Sequence, residues 1–223
     1  MSDELRAFLA NARGTAATAK VLSLDDLRAS RDEEAPAVEP GGLGALRGRF
    51  VELSARGATA TLTAAIGLVI EAQHEHEPVA WIMGPSGSFY PPDVADSGVD
   101  LAALVVVRVP DLAIAPRAAE RLLRSGAFGL VVLDLGGGAN VEIPMAHQGR
   151  LVTLAQAHDA AVVCITEKTE DTGSIGSLVS LRAEATRSGM LGSGFEVSLR
   201  VLKDKRRGPG WTRAIKVRGP DGT

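Results

Sequence analysis

The sequence is poor in aromatic residues and in cysteine. Only 4% of its 223 residues are Phe, Trp or Tyr, while 45% are hydrophobic, so Val, Leu, Ile and Ala must fill the core. The single cysteine, Cys164, cannot form an internal disulfide and is predicted to be a buried thiol, because it lies in the apolar run AAVVCIT. This composition is typical of an α/β protein with buried parallel strands.

Long apolar runs are also missing. No stretch suits a transmembrane helix, which needs about 20 consecutive apolar residues. The first residues, MSDELRAFLANAR, start acidic and lack the apolar segment of a secretory signal. Together with the lone cysteine, these absences predict a cytoplasmic protein without membrane contact.

Charge is unevenly distributed along a chain of net charge −3. Residues 25–39 carry six acidic side chains and two arginines, whereas residues 200–218 carry eight basic side chains and one aspartate. Two interpretations stay open. The basic end meets a polyanion, or the two ends meet each other or a partner chain.

The pattern of elements divides the chain into an N-terminal arm with a linker, residues 1–45, and a core domain, residues 46–223. The arm is expected to be a mobile tail or a segment that packs on a neighbouring subunit or partner. In the core domain strands and helices alternate, which predicts a mostly parallel sheet flanked by helices. After residue 174, strand patterns without helices predict an antiparallel hairpin extension. The predicted strands are 50–54, 79–83, 101–109, 130–135, 161–166, 177–183, 195–202 and 211–217, and the main predicted helices are 61–77, 116–124 and 144–158.

A strand, a turn of small residues and a long apolar helix follow one another over residues 49–73. This arrangement holds nucleotide phosphates when the turn supplies glycines for close approach, a Lys for the β- and γ-phosphates and a Ser or Thr for Mg²⁺. No Lys occurs between Glu52 and Glu71, and the only basic residue there is Arg56. The sequence predicts a nucleotide-binding fold that has lost most of its means to bind a nucleotide.

Several short motifs occur in a definite order along the core domain: Gly48–Arg49, VEL (51–53), Glu71–Ala72–Gln73, SGVDLAAL (97–104), Pro110–Asp111, RSGAFGLVVLDL (124–135) and VLKDK (201–205). In their order and spacing the region 46–218 resembles the RecA recombinase core. A basic RRGPG hairpin, and the lack of a recombinase-type C-terminal domain and of a full-length second DNA-binding loop, make the sequence most similar to the ImuA (SulA-like) family of RecA-like accessory proteins.

The ImuA resemblance implies a RecA-like fold of the P-loop NTPase type and a role in the DNA damage (SOS) response, DNA repair and translesion mutagenesis. The implied partners are RecA and an ImuB-type, Y-family polymerase-like protein, with single-stranded DNA as a further candidate. The implied location is the cytoplasm, in association with the nucleoid.

The same match assigns a degenerate nucleotide loop. Alanines 55 and 60 take the places of its first and last glycines, Thr61 that of the phosphate-binding Lys, and Leu62 that of the Mg²⁺-binding hydroxyl. The place of the catalytic Glu holds Met83–Gly84–Pro85. The resemblance therefore implies a pseudo-ATPase with no catalytic residue, metal or cofactor. The loop residues are Ala55, Arg56, Gly57, Ala60, Thr61 and Leu62.

Two acidic residues follow strands near this loop. Asp134, at the end of VVLD, resembles the Walker B aspartate. It is retained either for a nucleotide-bound metal or as a hydrogen-bonding residue near the loop. Glu167 matches the family's polar sensor position, where an acid would repel a phosphate.

The basic hairpin is the second candidate site. Lys203 and Lys205 match a lysine pair that reaches the nucleotide of the next subunit in RecA filaments, and without a nucleotide they are available for another anion. With Arg206, Arg207 and Trp211 they are predicted to lie on one exposed turn that neutralises phosphates and stacks a base, or binds a partner. A solvated hairpin tip is the structural alternative.

Three functions stay open. The first is a non-catalytic accessory protein. The second is a weak ATPase that binds ATP and Mg²⁺ through Asp134 and Arg56, with Lys203 or Lys205 supplied by a neighbour. The third is a single-stranded-DNA-binding module. The Gly/Ser segment 172–194, where the recombinase binds DNA, is expected to be short and mobile.

Overall fold

A computed structural model of the protein describes residues 41–55, 59–87, 89–136, 142–191 and 194–218. Predictions for residues 1–40, and those for Arg56 and Gly57, lie outside these ranges. The strands are β1 (Arg49–Ser54), β2 (Val79–Met83), β3 (Leu104–Arg108), β4 (Leu130–Asp134), β5 (Ala161–Thr166), β6 (Leu181–Leu191), β7 (Gly194–Asp204) and β8 (Thr212–Arg218), and the helices are α1 (Leu43–Leu46), α2 (Thr61–His74), α3 (Pro91–Asp96), α4 (Ala115–Arg124) and α5 (Met145–Ala157).

One mixed sheet forms the centre of the described part of the chain. Its eight strands have the order β3-β2-β4-β5-β1-β6-β7-β8. The first six strands in this order pair in parallel, whereas β7 and β8 pair antiparallel to their neighbours. The predicted α/β class, the mostly parallel sheet and the C-terminal antiparallel extension are confirmed.

Apolar side chains alternate between the two faces of the sheet and build a core on each face. In β1, Val51 and Leu53 contribute to the core under α2, whereas Phe50 contributes to the core under α4 and α5. Cys164 is fully buried, as predicted, and burial raises the pKa of its thiol well above the ordinary value. In the described residues, no helix is both long and apolar enough to cross a membrane.

Some predicted boundaries are wrong. Helix α2 ends at His74 and not at residue 77, because His76 takes a left-handed backbone conformation with φ of 60°. Strand β3 starts at Leu104 and not at residue 101, because the Asp100 side chain accepts a hydrogen bond from the Ala102 N–H and holds a preceding 3₁₀ turn. The fully buried face of α2 consists mainly of small residues, while the larger Leu62, Ile66 and Ile70 are only partly buried.

The segment 172–194 was expected to be short and mobile, and its described residues form more regular structure than this expectation suggested. Most of it is strand β6 or the beginning of β7. The stretch before β6 packs into the core through Ile175 and Val179, which are 2% and 0% exposed. The Gln148 side chain also accepts a hydrogen bond from the Leu178 N–H. These contacts attach the stretch before β6 to the core and to the Gln148 side chain.

Candidate functional site

The predicted nucleotide loop joins the C-terminal end of β1 to α2, as expected. Its described positions are closely packed: Ala55, Ala60 and Thr61 are 1%, 3% and 5% exposed. Leu62, at the position of the Mg²⁺-binding hydroxyl, packs against the core under α2. The alanine methyl groups therefore occupy space that glycines would leave open to a ligand.

The backbone beside this loop is bonded within the protein. The Ala60 N–H donates to the Ala185 carbonyl of β6 at 2.9 Å, and Thr59 forms an isolated antiparallel bridge with Thr186. The Thr61 N–H donates to the Thr59 hydroxyl at 3.1 Å. Amides at the start of a helix are the groups that bind phosphates. Here two of them already have acceptors.

Thr59 was missed as a functional residue of this loop. A local signal was present, because Thr and Ser hydroxyls often accept a hydrogen bond from the backbone N–H two residues later. The pairing with β6 had no such signal, since Thr59 and Thr186 are far apart in the sequence.

Asp134 is the last residue of β4 and is 3% exposed. Its Oδ1 accepts a hydrogen bond from the Gly136 N–H at 3.2 Å. A Cβ built on Gly136 would lie 3.2 Å from Asp134 Oδ1 and 3.5 Å from Glu167 Oε1, so both carboxylates flank this glycine. No group of three His, Cys, Asp or Glu residues that could hold a metal ion occurs in the described ranges. The hydrogen bond from Gly136 favours the second role given above for Asp134, that of a hydrogen-bonding residue near the loop.

The sequence did not reveal the role of one further acidic residue, Glu52, which lies in β1. Glu52 is fully buried in β1, where its carboxylate accepts hydrogen bonds from Thr166 Oγ1 at 2.9 Å and from the Ile175 N–H at 2.8 Å. Lys168 Nζ and Arg182 Nε each lie 3.9 Å from this carboxylate. A charged residue inside the apolar strand FVELS was the available signal.

Arg182 extends this network to the connection after β5. Its guanidinium donates to Ser54 Oγ at 3.0 Å, to the Thr169 carbonyl at 2.7 Å and to the Thr172 carbonyl. Glu52 and Arg182 together fasten the connection that leads from β5 to β6. This connection is therefore a structural element and not an open loop.

The basic hairpin lies near the opposite end of β1, beside the first residue of that strand. Strand β1 has six residues and begins at Arg49, beside the hairpin, whereas the degenerate loop follows Ser54. At about 3.3 Å per residue the two strand ends are about 17 Å apart. Lys205, in the turn after β7, therefore lies at the opposite end of β1 from the predicted nucleotide loop. Lys203 lies nearer to the middle of β1, since it pairs with Arg182, whose partner in β1 is Glu52.

Asp204 organises the hairpin from inside. Its Oδ1 accepts hydrogen bonds from Arg49 Nη2 at 2.6 Å and from the Arg206 N–H at 2.8 Å, while its Oδ2 accepts one from Trp211 Nε1 at 3.4 Å. The side chains of Arg49 and Asp204 are 3% and 0% exposed. Burial raises the pKa of Asp204, but the hydrogen bonds from Arg206 and Arg49 outweigh it and keep this pKa below its ordinary value.

The five predicted binding residues do not share one exposed turn. Lys205, Arg206 and Arg207 are exposed, but Lys203 is half-buried and its pKa is lowered, first by burial and then by the neighbouring Lys205. Trp211 is half-buried and packs against the core under α2. The prediction that Trp211 lies on the exposed turn is wrong, because its indole is bonded to Asp204 inside the hairpin.

The structure thus separates two candidate sites. The packed residues Ala55, Ala60 and Thr61 lie beyond the C-terminal end of β1, and the three exposed bases lie near its N-terminal end. Their binding roles stay predictions. No protein-family model matches the chain, and no curated protein is significantly similar to it.

Proposed function

We propose that this protein is a non-catalytic, RecA-like accessory protein of the DNA damage response and of translesion mutagenesis. It acts through contacts with RecA and with an ImuB-type polymerase partner, and it contacts DNA. The sequence resemblance suggests this family. The observation that carries the non-catalytic part is the bonding of the degenerate loop to β6.

The state of the loop supports the absence of nucleotide binding. A phosphate in this place would need the amides of Ala60 and Thr61, which donate to Ala185 and Thr59. Binding would therefore break contacts within the protein, and no Lys is present at position 61 to offset that loss with a charge contact. We therefore expect only weak binding of ATP and Mg²⁺ at this site.

We expect no measurable heat when millimolar ATP and Mg²⁺ are titrated into the protein in isothermal calorimetry, with or without single-stranded DNA. RecA from any bacterium, titrated under the same conditions, is the positive control. Micromolar binding would contradict the proposal. The variant Asp134→Asn would then test whether that aspartate supports turnover.

The free edge of the sheet at β3 supports a role in protein contacts. Within the described residues β3 pairs only with β2, and its other side has no strand neighbour. Val105 and Val106 are 45% and 37% exposed, although they point to opposite faces of the strand. Unprotected apolar edges attract a further strand, which gains backbone hydrogen bonds. We assign this edge to an extended segment of the protein partner.

Val106→Lys is expected to weaken partner binding about tenfold or more, because a lysine on an edge strand opposes the addition of another strand. Binding to RecA and to the ImuB-type partner would be measured separately by biolayer interferometry. Stability should change little, since Val106 is partly exposed. Ala214→Lys, at an exposed position of the opposite edge strand β8, is the matched control. Equal binding by both variants would rule out β3 as the contact.

The weak-ATPase alternative needs a second copy of the chain. Lys205 lies at the opposite end of β1 from the loop, and Lys203 is half-buried beside Arg182, so we expect a neighbouring chain to supply the lysine that reaches a nucleotide. The calorimetric titration also decides this alternative, because nucleotide binding would then depend on protein concentration.

A further inference from the structure

Three exposed bases on the turn between β7 and β8 define the surface that we call the basic tip: Lys205, Arg206 and Arg207. Four basic residues lie within 203–207, but Lys203 is half-buried beside Arg182 and does not belong to this surface. The tip is held firmly, since the Lys205 N–H donates to the Ser180 carbonyl at 2.9 Å and Lys205 Nζ donates to the Ser177 carbonyl at 2.9 Å.

The acidic residue inside this turn does not neutralise the surface. The Asp204 carboxylate is fully buried and forms its ion pair with Arg49, on the inner side of the hairpin. The Arg206 backbone N–H also donates to this carboxylate, and this bond fixes the start of the turn. Three exposed basic side chains therefore lie on a preformed turn, where Lys205 and Arg206 also donate to the Ser177 and Arg47 carbonyls, and the only acidic residue within 203–207 is paired with Arg49.

Trp211, the aromatic residue beside the tip, is half-buried and bonded within the hairpin. Trp211 Nε1 donates to Asp204 Oδ2, and a Cβ built on Gly41 would lie 3.4 Å from the Trp211 ring. Single-strand-binding proteins stack bases on exposed aromatic rings. The basic tip offers charge and guanidinium groups without such a ring.

We infer that the basic tip binds the phosphate backbone of nucleic acid, without stacking bases and hence without preference for single strands. Asp204 is the positioning residue, because it fixes the turn through Arg49. This inference deepens the DNA contact of the proposed function and rests on it. It differs from the sequence prediction, in which Trp211 stacked a base.

Counterion release sets the size of the expected effect. Three phosphate contacts give a slope of log affinity against log salt of about −2.7 for duplex DNA and about −2.1 for single strands. A stacking site would add affinity for single strands alone, by about 1–3 kcal/mol per base. Similar affinities for both forms at low salt are the signature of backbone binding.

The test compares fluorescence anisotropy of a duplex 30-mer and of oligo(dT)30 in 50 to 200 mM salt. The triple variant K205Q/R206Q/R207Q is expected to lose about tenfold or more in affinity for both DNAs and most of the salt dependence. The control R117Q/R121Q/R124Q removes three exposed arginines from α4 and should bind as the unmodified protein does. Trp211→Leu should leave the ratio of the two affinities unchanged.

Three results would overturn the inference. Equal losses in the tip and α4 variants would indicate general charge and no site. A single-strand preference that disappears in Trp211→Leu would restore the stacking interpretation. If the tip variant lost binding to poly-glutamate but kept its affinity for DNA, the partner of the basic tip would be an acidic protein. Failure of the proposed function is distinguishable, because nucleotide binding and partner binding at β3 are measured independently of the tip.

Discussion

Arg49→Met is expected to lower the free energy of unfolding by about 3–5 kcal/mol, because it leaves the Asp204 carboxylate buried without its cationic partner. The two side chains are 3% and 0% exposed and their closest atoms are 2.6 Å apart. Asp204 also binds the Arg206 N–H and Trp211 Nε1, so the whole hairpin depends on this pair. Urea unfolding followed by circular dichroism measures the loss.

The double variant Arg49→Met/Asp204→Leu provides the control. Replacing both partners with apolar residues removes the isolated charge, and such replacements are often close to neutral in stability. The double variant should thus recover part of the loss seen in Arg49→Met. A single variant as stable as the unmodified protein would show that the pair is not formed in solution.

The same pair predicts the direction of a pH dependence. The pKa of Asp204 lies below its ordinary value in the folded protein. Its contribution to stability is therefore present above the ordinary pKa of an aspartate and is lost as the pH falls through it towards the lower, folded pKa. Unfolding curves at pH 7 and in this acidic range should show a smaller difference for Asp204→Leu combined with Arg49→Met than for the unmodified protein.

The second large effect is expected for Glu52→Ala, which should cost about 3–5 kcal/mol. The variant leaves Lys168 and Arg182 without the carboxylate that lies 3.9 Å from each. It also removes the acceptor of the Ile175 N–H, a buried group whose bond would go unmade. Glu52→Gln should cost less, because an amide oxygen can still accept that bond.

Glu184→Ala is the matched control on the neighbouring strand β6. Glu184 pairs with Arg200, whose side chain is 46% exposed, and partly exposed pairs contribute about 0–1 kcal/mol. Hydrogen exchange supplies a local readout, since protection of the Ile175 amide should fall in Glu52→Ala and not in Glu184→Ala. Similar unfolding curves for both variants would contradict the role assigned to Glu52.

Both large effects concern charged residues of β1, the strand between the two candidate sites. Arg49 begins the strand and fixes the basic tip through Asp204, while Glu52 lies within it and fastens the connection after β5. Buried charged pairs and the bridge between Thr59 and Thr186 thus hold both ends of this strand in place.

Local patterns in the sequence were sufficient for the class of the fold. Runs such as LVVLD and AAVVCIT are too apolar and β-branched for exposed segments, and their alternation with helices restricts the sheet to a mostly parallel one. The lack of a lysine between Glu52 and Glu71 and the alanines at positions 55 and 60 were also visible without coordinates. These properties depend on residue type and on neighbours within a few positions, which the sequence displays directly.

Only the tertiary structure decided which groups are available for binding. Arg49 and Asp204 are 155 positions apart, and the same carboxylate also binds the indole N–H of the half-buried Trp211. The Ala60 N–H is bonded to the Ala185 carbonyl of β6, and the strand order of the described residues places β3 at an edge of the sheet. Such contacts arise from the packing of distant segments, whose energy is shared among many residues. The sequence by itself therefore determined the fold class and the absence of a lysine between Glu52 and Glu71, while packing determined which side chains remain exposed.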